Sequence, residues 1–263
     1  MRESRLLNIL LPVVSSILLI AAWQFSVWAF SVPAYLIPPP LDVLIALKAG
    51  LIGGTLWPHI AATTAAIAIG YLLGCGSALI SAAVVAEFPL FRRAVYPLII
   101  AFQAIPKVAL APLLVVWFGF DLASKVVMIA LICFFPTFVN AFVGLSSYDR
   151  NLADLYKTFG AGRWQILISI KIPSALGAIF AGLEISVVLA LLGAVLAEIV
   201  ASRRGLGYVI QSSGVDFNIA LMFACIVILG AIGVILSQIV ILARRKFAFW
   251  EDRRATSVSG PGA

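Results

Sequence analysis

The feature that most constrains this chain is a succession of apolar runs about twenty residues long, separated by short polar stretches. A helix rises about 1.5 Å per residue, so such a run matches a hydrocarbon core roughly 30 Å thick. Water is absent there, so each backbone polar group must be satisfied within a helix or a closed barrel. A barrel would show alternating segments of about ten residues, and none are visible. Composition agrees: 63% of the 263 residues are hydrophobic and 11% are charged, against about 25% charged in a soluble domain. The expectation is an all-α integral membrane protein with about six transmembrane helices, at residues 7–30, 60–86, 94–118, 124–145, 174–200 and 219–243.

Few catalytic chemistries fit. His59 is the only histidine, and Cys75, Cys133 and Cys225 fall singly inside apolar runs. No CxxC or Cys/His cluster indicates a metal site, so the cysteines read as small core residues. A membrane enzyme would need clustered His, Asp, Glu or Cys near one interface. No GxxxxGK[ST] loop is present, so ATP binding of the P-loop kind is not expected in this chain. The start, with Arg2 and Arg5 before an apolar stretch, resembles a signal peptide. Without a convincing small-residue cleavage site it reads as an uncleaved signal-anchor helix.

The net charge of +7 reads as orientation rather than nucleic-acid binding, because Lys and Arg concentrate on the cytoplasmic side. With the N-terminus inside, thirteen of the eighteen Lys and Arg residues are cytoplasmic, from Arg2 and Arg5 to Arg253 and Arg254. Only Lys48, Lys125, Arg203 and Arg204 lie outside, and Lys107 is within a span. Both termini are therefore expected in the cytoplasm. The organisation is an N-terminal transmembrane helix (1–31), a periplasmic segment (32–58), a core (59–245) and a cytoplasmic tail (246–263).

The periplasmic segment contains Pro38-Pro39-Pro40, which favours extended chain, and Leu41 to Gly50 reads as a short interfacial helix. The second span carries small residues every fourth position: Ala62, Ala66, Gly70, Gly74, Ala78, Ala82 and Ala86. That stripe permits close helix approach, with lining of a pathway as the minor alternative. Pro97, Pro106 and Pro112 break the third span. Gln103 and Lys107 lie beside the break, one helical turn apart. An intramembrane lysine is a functional candidate by default. Lys107 could attract an anionic substrate, snorkel outward, or pair with a carboxylate. Glu184 is the deeper of two candidate acids, and Glu198 is expected to be interfacial. Gln103, Pro106, Lys107 and Glu184 are the candidate pathway residues.

The longest cytoplasmic loop, 146–173, is amphipathic. Leu152, Leu155 and Phe159 fall at helical spacing on one face. Gly160 and Gly162 then stop the helix, and Trp164 to Ile170 leads to Pro173. Such a protrusion could dock in a partner's groove; an ordinary surface helix is the rival reading.

The stretch from Asp154 through Gly160 to Pro173 resembles the EAA loop of ABC importer permeases. Asp154-Leu155-Tyr156 stand at the Glu-Ala-Ala positions, Gly160 is the motif glycine, and Pro173 closes it. One branch of that family fits further: Ile105 to Leu113 with Trp117-Phe118-Gly119, Ser124-Lys125, Ala197-Glu198, Gly205-Leu206-Gly207-Tyr208, and Leu36 to Pro40. These segments look like the permeases for taurine, alkanesulfonates, nitrate and pyrimidine precursors, over roughly residues 35–250. The resemblance implies a type I importer permease fold, with a coupling helix between spans 4 and 5. The coupling residues would be Asp154, Leu155, Tyr156, Lys157, Phe159, Gly160, Ala161, Arg163 and Trp164. It implies a cytoplasmic ATPase dimer carrying ATP and Mg, a second copy of this permease, a periplasmic substrate-binding protein, and a place in the bacterial inner membrane. The solute would be small and often anionic, with a pyrimidine or thiamine precursor as the alternative. A secondary transporter is the rival class; it would show inverted repeats, and no clear repeat is seen.

Overall fold

The computed structural model describes residues 2–120 and 122–250. The tail beyond Trp250, with Arg253 and Arg254, lies outside the described residues, as do the side chains of Arg2 and Arg5. The described chain is helical: α1 (Arg2–Ala29), α2 (Pro40–Ile52), α3 (Trp57–Glu87), α4 (Pro89–Gln103), α5 (Ala111–Phe118), α6 (Leu122–Ser146), α7 (Arg150–Thr158), α8 (Arg163–Ile166), α9 (Ile172–Ala201), α10 (Leu206–Val215) and α11 (Ile219–Phe247). Four long apolar helices can cross a membrane: α3, α6, the continuous Arg163–Val200 and α11. The pair α4 and Lys107–Phe118 makes a fifth if taken as one span, and α1 adds a shorter apolar stretch, Val14–Ala29.

At the centre, α6 packs along both α3 and α9. The small-residue stripe of α3 explains how. Ala66, Ala78 and Ala82 are fully buried. A Cβ on Gly70 would lie 2.9 Å from the Val126 carbonyl, and one on Gly74 would lie 2.8 Å from Ala130 Cα. The two backbones thus approach where only glycine fits, and within this chain the stripe is a packing surface. A buried polar cluster joins the same three helices. Thr137 and Ser186 hydroxyls lie 2.8 Å apart, Thr137 donates to Cys75 Sγ, and Ser186 donates to the Cys133 carbonyl. All three cysteines are buried and free.

Two expectations are refined. The third span is broken, as its prolines lead one to expect, with α4 and the Lys107–Phe118 helix meeting at 85°, but not every proline breaks it. Pro97 is absorbed inside α4. The turn falls instead at Ala104 to Pro106, where the proline excludes helical geometry from the residue before it. Pro173, in turn, does not begin a new helix. Leu167–Lys171 forms a π turn in which the Ile172 N–H donates five residues back to Leu167. That wider register accommodates a proline lacking a donor, so α8 runs on into α9 as one 38-residue rod, Arg163–Val200.

Candidate functional site

Helix α7 has only nine residues, too short to persist without caps and tertiary contacts. Asp149 supplies the first cap, its carboxylate accepting from the Asn151 and Leu152 N–H groups at 2.9 and 3.3 Å. The other end is a Schellman motif. The Ala161 N–H donates to the Tyr156 carbonyl and the Gly160 N–H to the Lys157 carbonyl, with Gly160 at φ +82°. A Cβ at Gly160 would meet nothing within 4 Å, so glycine is required here by backbone conformation and not by space. The Gly162 N–H then donates to Gln165 Oε1, capping α8.

A small core holds the loop together: Ala153, Ile166 and Ile170 are buried with Tyr148 and Ala161 against them. The opposite surface is apolar and open. Leu152, Leu155 and Tyr156 are exposed, Phe159 is 82% exposed and Trp164 66%. Most of this ridge stands on a helix of nine residues, too short to cross a membrane, which makes it a candidate interaction surface. Leu155 and Tyr156, bulkier than the alanines of the resembling motif, are exposed. Asp154 and Lys157 pair at 2.7 Å on the rim, and the Asp154 carboxylate raises the Lys157 ammonium pKa above its ordinary value. Arg163 is exposed beside them.

The loop is tied to the bundle by a contact that sequence reasoning missed. Lys171 and Glu87, at the end of α3, form an ion pair at 2.5 Å with both side chains only 10% exposed. The Lys171 ammonium also sits 4.8 Å from the Tyr148 ring. Leu167 joins the core cluster of Ala78, Val85, Phe138 and Phe142. Any displacement of α7 and α8 must therefore carry the ends of α3 and α9. Glu87, the lone acid closing a long apolar helix, was the available signal.

The four pathway candidates do not converge. Lys107 donates to the Gln103 carbonyl at 3.1 Å and lies 4.5 Å over the Phe135 ring. Gln103 and Pro106 are exposed at the bend. Glu184 accepts from Arg244 at 3.3 Å. The Lys107–Glu184 pair is therefore not formed; each group has its own partner.

Glu198 lies near the end of its span, as expected, and is wholly buried within the protein. Its carboxylate accepts from Thr63 Oγ1 at 2.9 Å and from the Gly207 N–H at 2.9 Å, and lies 3.7 Å from Lys125 Nζ. Lys125 donates to the Arg204 carbonyl at 2.6 Å, the Leu206 N–H donates to Thr63 Oγ1, and the Gly205 N–H donates to His59 Nδ1. Any side chain at Gly205, at φ +132°, would overlap the carboxylate, and a Cβ at Gly207 would lie 2.8 Å from Glu198 Cβ. One network thus joins α3, α6, α9 and the start of α10. It unites Lys125, Glu198 and Gly205 to Gly207, which the sequence showed only as separate motif fragments. Beside it, a cavity of about 770 Å³ is lined by Ala62, Phe120, Lys125, Ser202, Arg203 and Arg204, among others.

Comparison with known proteins places this architecture. Residues 70–248 match the family described as "Binding-protein-dependent transport system inner membrane component". The chain is 37% identical to the riboflavin transport system permease protein RibX of Chloroflexus aurantiacus, over 90% of this chain and 89% of that one. It is 34% identical to the formylaminopyrimidine transport permease protein ThiX of Halalkalibacterium halodurans, over 85% and 89%. It is 32% identical to the putative aliphatic sulfonates transport permease protein SsuC of Bacillus subtilis, over 93% and 87%. In fold it is similar to a chain of the MetNI methionine ABC transporter in an inward-facing conformation, with TM-score 0.56 and 20% identity, covering 73% of this chain and 92% of that one.

Proposed function

This chain belongs to the inner-membrane components of binding-protein-dependent transport systems, and from that premise we propose that it is the permease of an ATP-driven importer whose α7–α8 loop docks on a cytoplasmic ATPase. The single observation carrying the reading is the apolar ridge of Leu155, Tyr156, Phe159 and Trp164, set on a doubly capped helix and on the first turn of the 38-residue rod that follows it. Asp154, Lys157, Ala161 and Arg163 complete the docking surface, with Gly160 as its turn. ATP and Mg would be bound by the ATPase dimer. A closing ATPase would push the ridge, and the Lys171–Glu87 pair and the π turn would pass that motion to α3 and α9 as a rigid-body switch of the pathway. On this reading the loop and both termini are cytoplasmic, and the positive-inside distribution of charge supports it. A second copy of the permease would complete the pathway, and a periplasmic binding protein would deliver the solute.

A small anionic solute, such as a sulfonate, taurine or nitrate, is the favoured cargo. Arg203 and Arg204 at the 770 Å³ cavity give the far end of the bundle a basic mouth, which would concentrate anions. The riboflavin and formylaminopyrimidine relatives favour the alternative, a heteroaromatic precursor. A thermal-shift screen of the cognate binding protein decides between them.

The coupling role is tested by Gly160→Val. Uptake should be lost while the permease still reaches the membrane folded, its melting lowered only by the local strain of a β-branched residue at positive φ. Unchanged uptake would refute the role. Gradient-driven uptake by the permease without any ATPase would favour a secondary transporter instead.

A further inference from the structure

The segment that carries Arg203 and Arg204 to the 770 Å³ cavity is pinned at four consecutive residues. Lys125 donates to the Arg204 carbonyl, and the Gly205 N–H donates to His59 Nδ1 at 3.1 Å. The Leu206 N–H donates to Thr63 Oγ1 and the Gly207 N–H to Glu198. Arg203 and Arg204 are exposed, while Gly205, Leu206 and Gly207 are buried. Of the four anchoring side chains, only the imidazole has an ordinary pKa between about 5 and 8, and it is the only one in the chain. His59 is half-buried at the start of α3. Its ring stacks on Tyr208, with centroids 6.0 Å apart and planes at 12°, which fixes the direction of Nδ1.

We propose that neutral His59 positions the Arg203–Arg204 segment at the cavity mouth, and that protonation of the ring releases it. To accept at Nδ1 the imidazole must be neutral, with its proton on Nε2. Protonation sets a donor against the Gly205 donor and leaves that buried N–H without a partner, which a backbone amide does not tolerate away from water. The charges that bear on the ring are those of Lys125 from α6 and Arg204. Glu198 of α9 lies against Gly205, and Tyr208 of α10 is the stacking partner. An imidazolium is therefore repelled by the ammonium and guanidinium beside it. Gly205, at φ +132°, is the residue with the freest backbone and so the place where the segment gives way. The consequence for uptake rests on the reading of this cavity as the solute's outer mouth; on that reading the acidity of the outer medium sets the switch.

The full-length chain carrying Arg203→Cys, labelled there with a nitroxide, tests this by electron paramagnetic resonance in micelles. Cys75, Cys133 and Cys225 are buried, so the label goes to the new thiol. Lowering the pH from about 8 to about 5 should raise the mobile-to-ordered ratio of the label about tenfold, the weight of one hydrogen bond and a like-charge contact. His59→Asn offers a carbonyl oxygen that does not titrate and should keep the label ordered throughout. His59→Phe keeps the stack without the acceptor and should leave the label mobile at both ends. A label unresponsive to pH beside native His59, one that is mobile or still pH-responsive in His59→Asn, or one that stays ordered in folded His59→Phe would overturn the proposal. If His59→Phe does not fold, the comparison of native His59 with His59→Asn decides. Uptake by the unlabelled, assembled transporter should fall toward acid pH in the wild type and not in His59→Asn. A segment that loosens while uptake stays constant would uphold the positioning role and remove this mouth from the solute's route, so the two readings fail separately.

Discussion

Removing the Glu198 carboxylate should be the most damaging polar substitution in this protein, and its cost can be built from the contacts. Glu198→Ala deletes the acceptor of Thr63 Oγ1 and of the Gly207 N–H and takes the counter-ion from Lys125, which is itself only 4% exposed. Breaking a buried ion pair from one side costs about 3–5 kcal/mol. Glu198→Gln keeps the shape, but a single amide oxygen replaces two accepting carboxylate oxygens and the charge is lost. Hydrogen bonds to charged groups contribute about 1.5–3 kcal/mol against 0.5–1.5 for neutral ones, so a loss of about 1–2 kcal/mol is expected from Gly207 alone. Thr63→Val leaves the Leu206 N–H, buried at the start of α10, without its acceptor at 2.8 Å, a penalty of about 1–3 kcal/mol. The order of stability should be wild type, then Glu198→Gln, then Glu198→Ala, measured by reversible denaturation in mixed micelles. The decisive variant is the double change Lys125→Met with Glu198→Met. Replacing both ions by apolar side chains removes the stranded charge, so the double variant should be more stable than Glu198→Met alone. If it is instead as unstable as the sum of the two single changes, the pair is not coupled and the network reasoning fails.

Other predictions follow from the same contacts. Gly160→Asn, a residue that tolerates positive φ, should retain far more uptake than Gly160→Val; equal loss would show that size, not backbone conformation, is what the position rejects. Glu87→Gln should leave α7 capped and exposed but uncouple uptake from ATP hydrolysis, read as ATPase activity without transport, since Lys171 loses its counter-ion. Gly74→Leu should prevent assembly of α3 on α6, because a Cβ there already lies 2.8 Å from Ala130 Cα; normal membrane levels of folded protein would contradict the packing. Asp154→Asn should return the Lys157 pKa toward its ordinary value, followed by NMR, without a resolvable change in melting, because both groups are exposed.

How much of this was readable beforehand divides along the range of the interactions. Apolar length fixed the placement of the long helices because a span is a local property of about twenty residues. The stop at Gly160 was equally local, since a Schellman turn is written in six consecutive residues. The bend at Ala104 to Pro106 was half legible. Three prolines announced a break, but Pro97 was absorbed into α4 while the residues before Pro106 turned through 85°, and only the neighbouring helices decide which proline is tolerated. Long-range pairs were opaque. Counting along one helix placed Glu198 near the end of its span but could not show that it is buried, because its burial comes from Thr63 on α3, Lys125 on α6 and Gly207 after a chain reversal. The sequence left a carboxylate partner for Lys107 as one of several readings and gave no sign of the partner of Glu184, which is Arg244, sixty residues away in the last turn of α11. A buried charge in a membrane protein must find its partner in three dimensions. The sequence therefore exposes the need for one, through an acid or base in an apolar run, well before it can say which residue answers it.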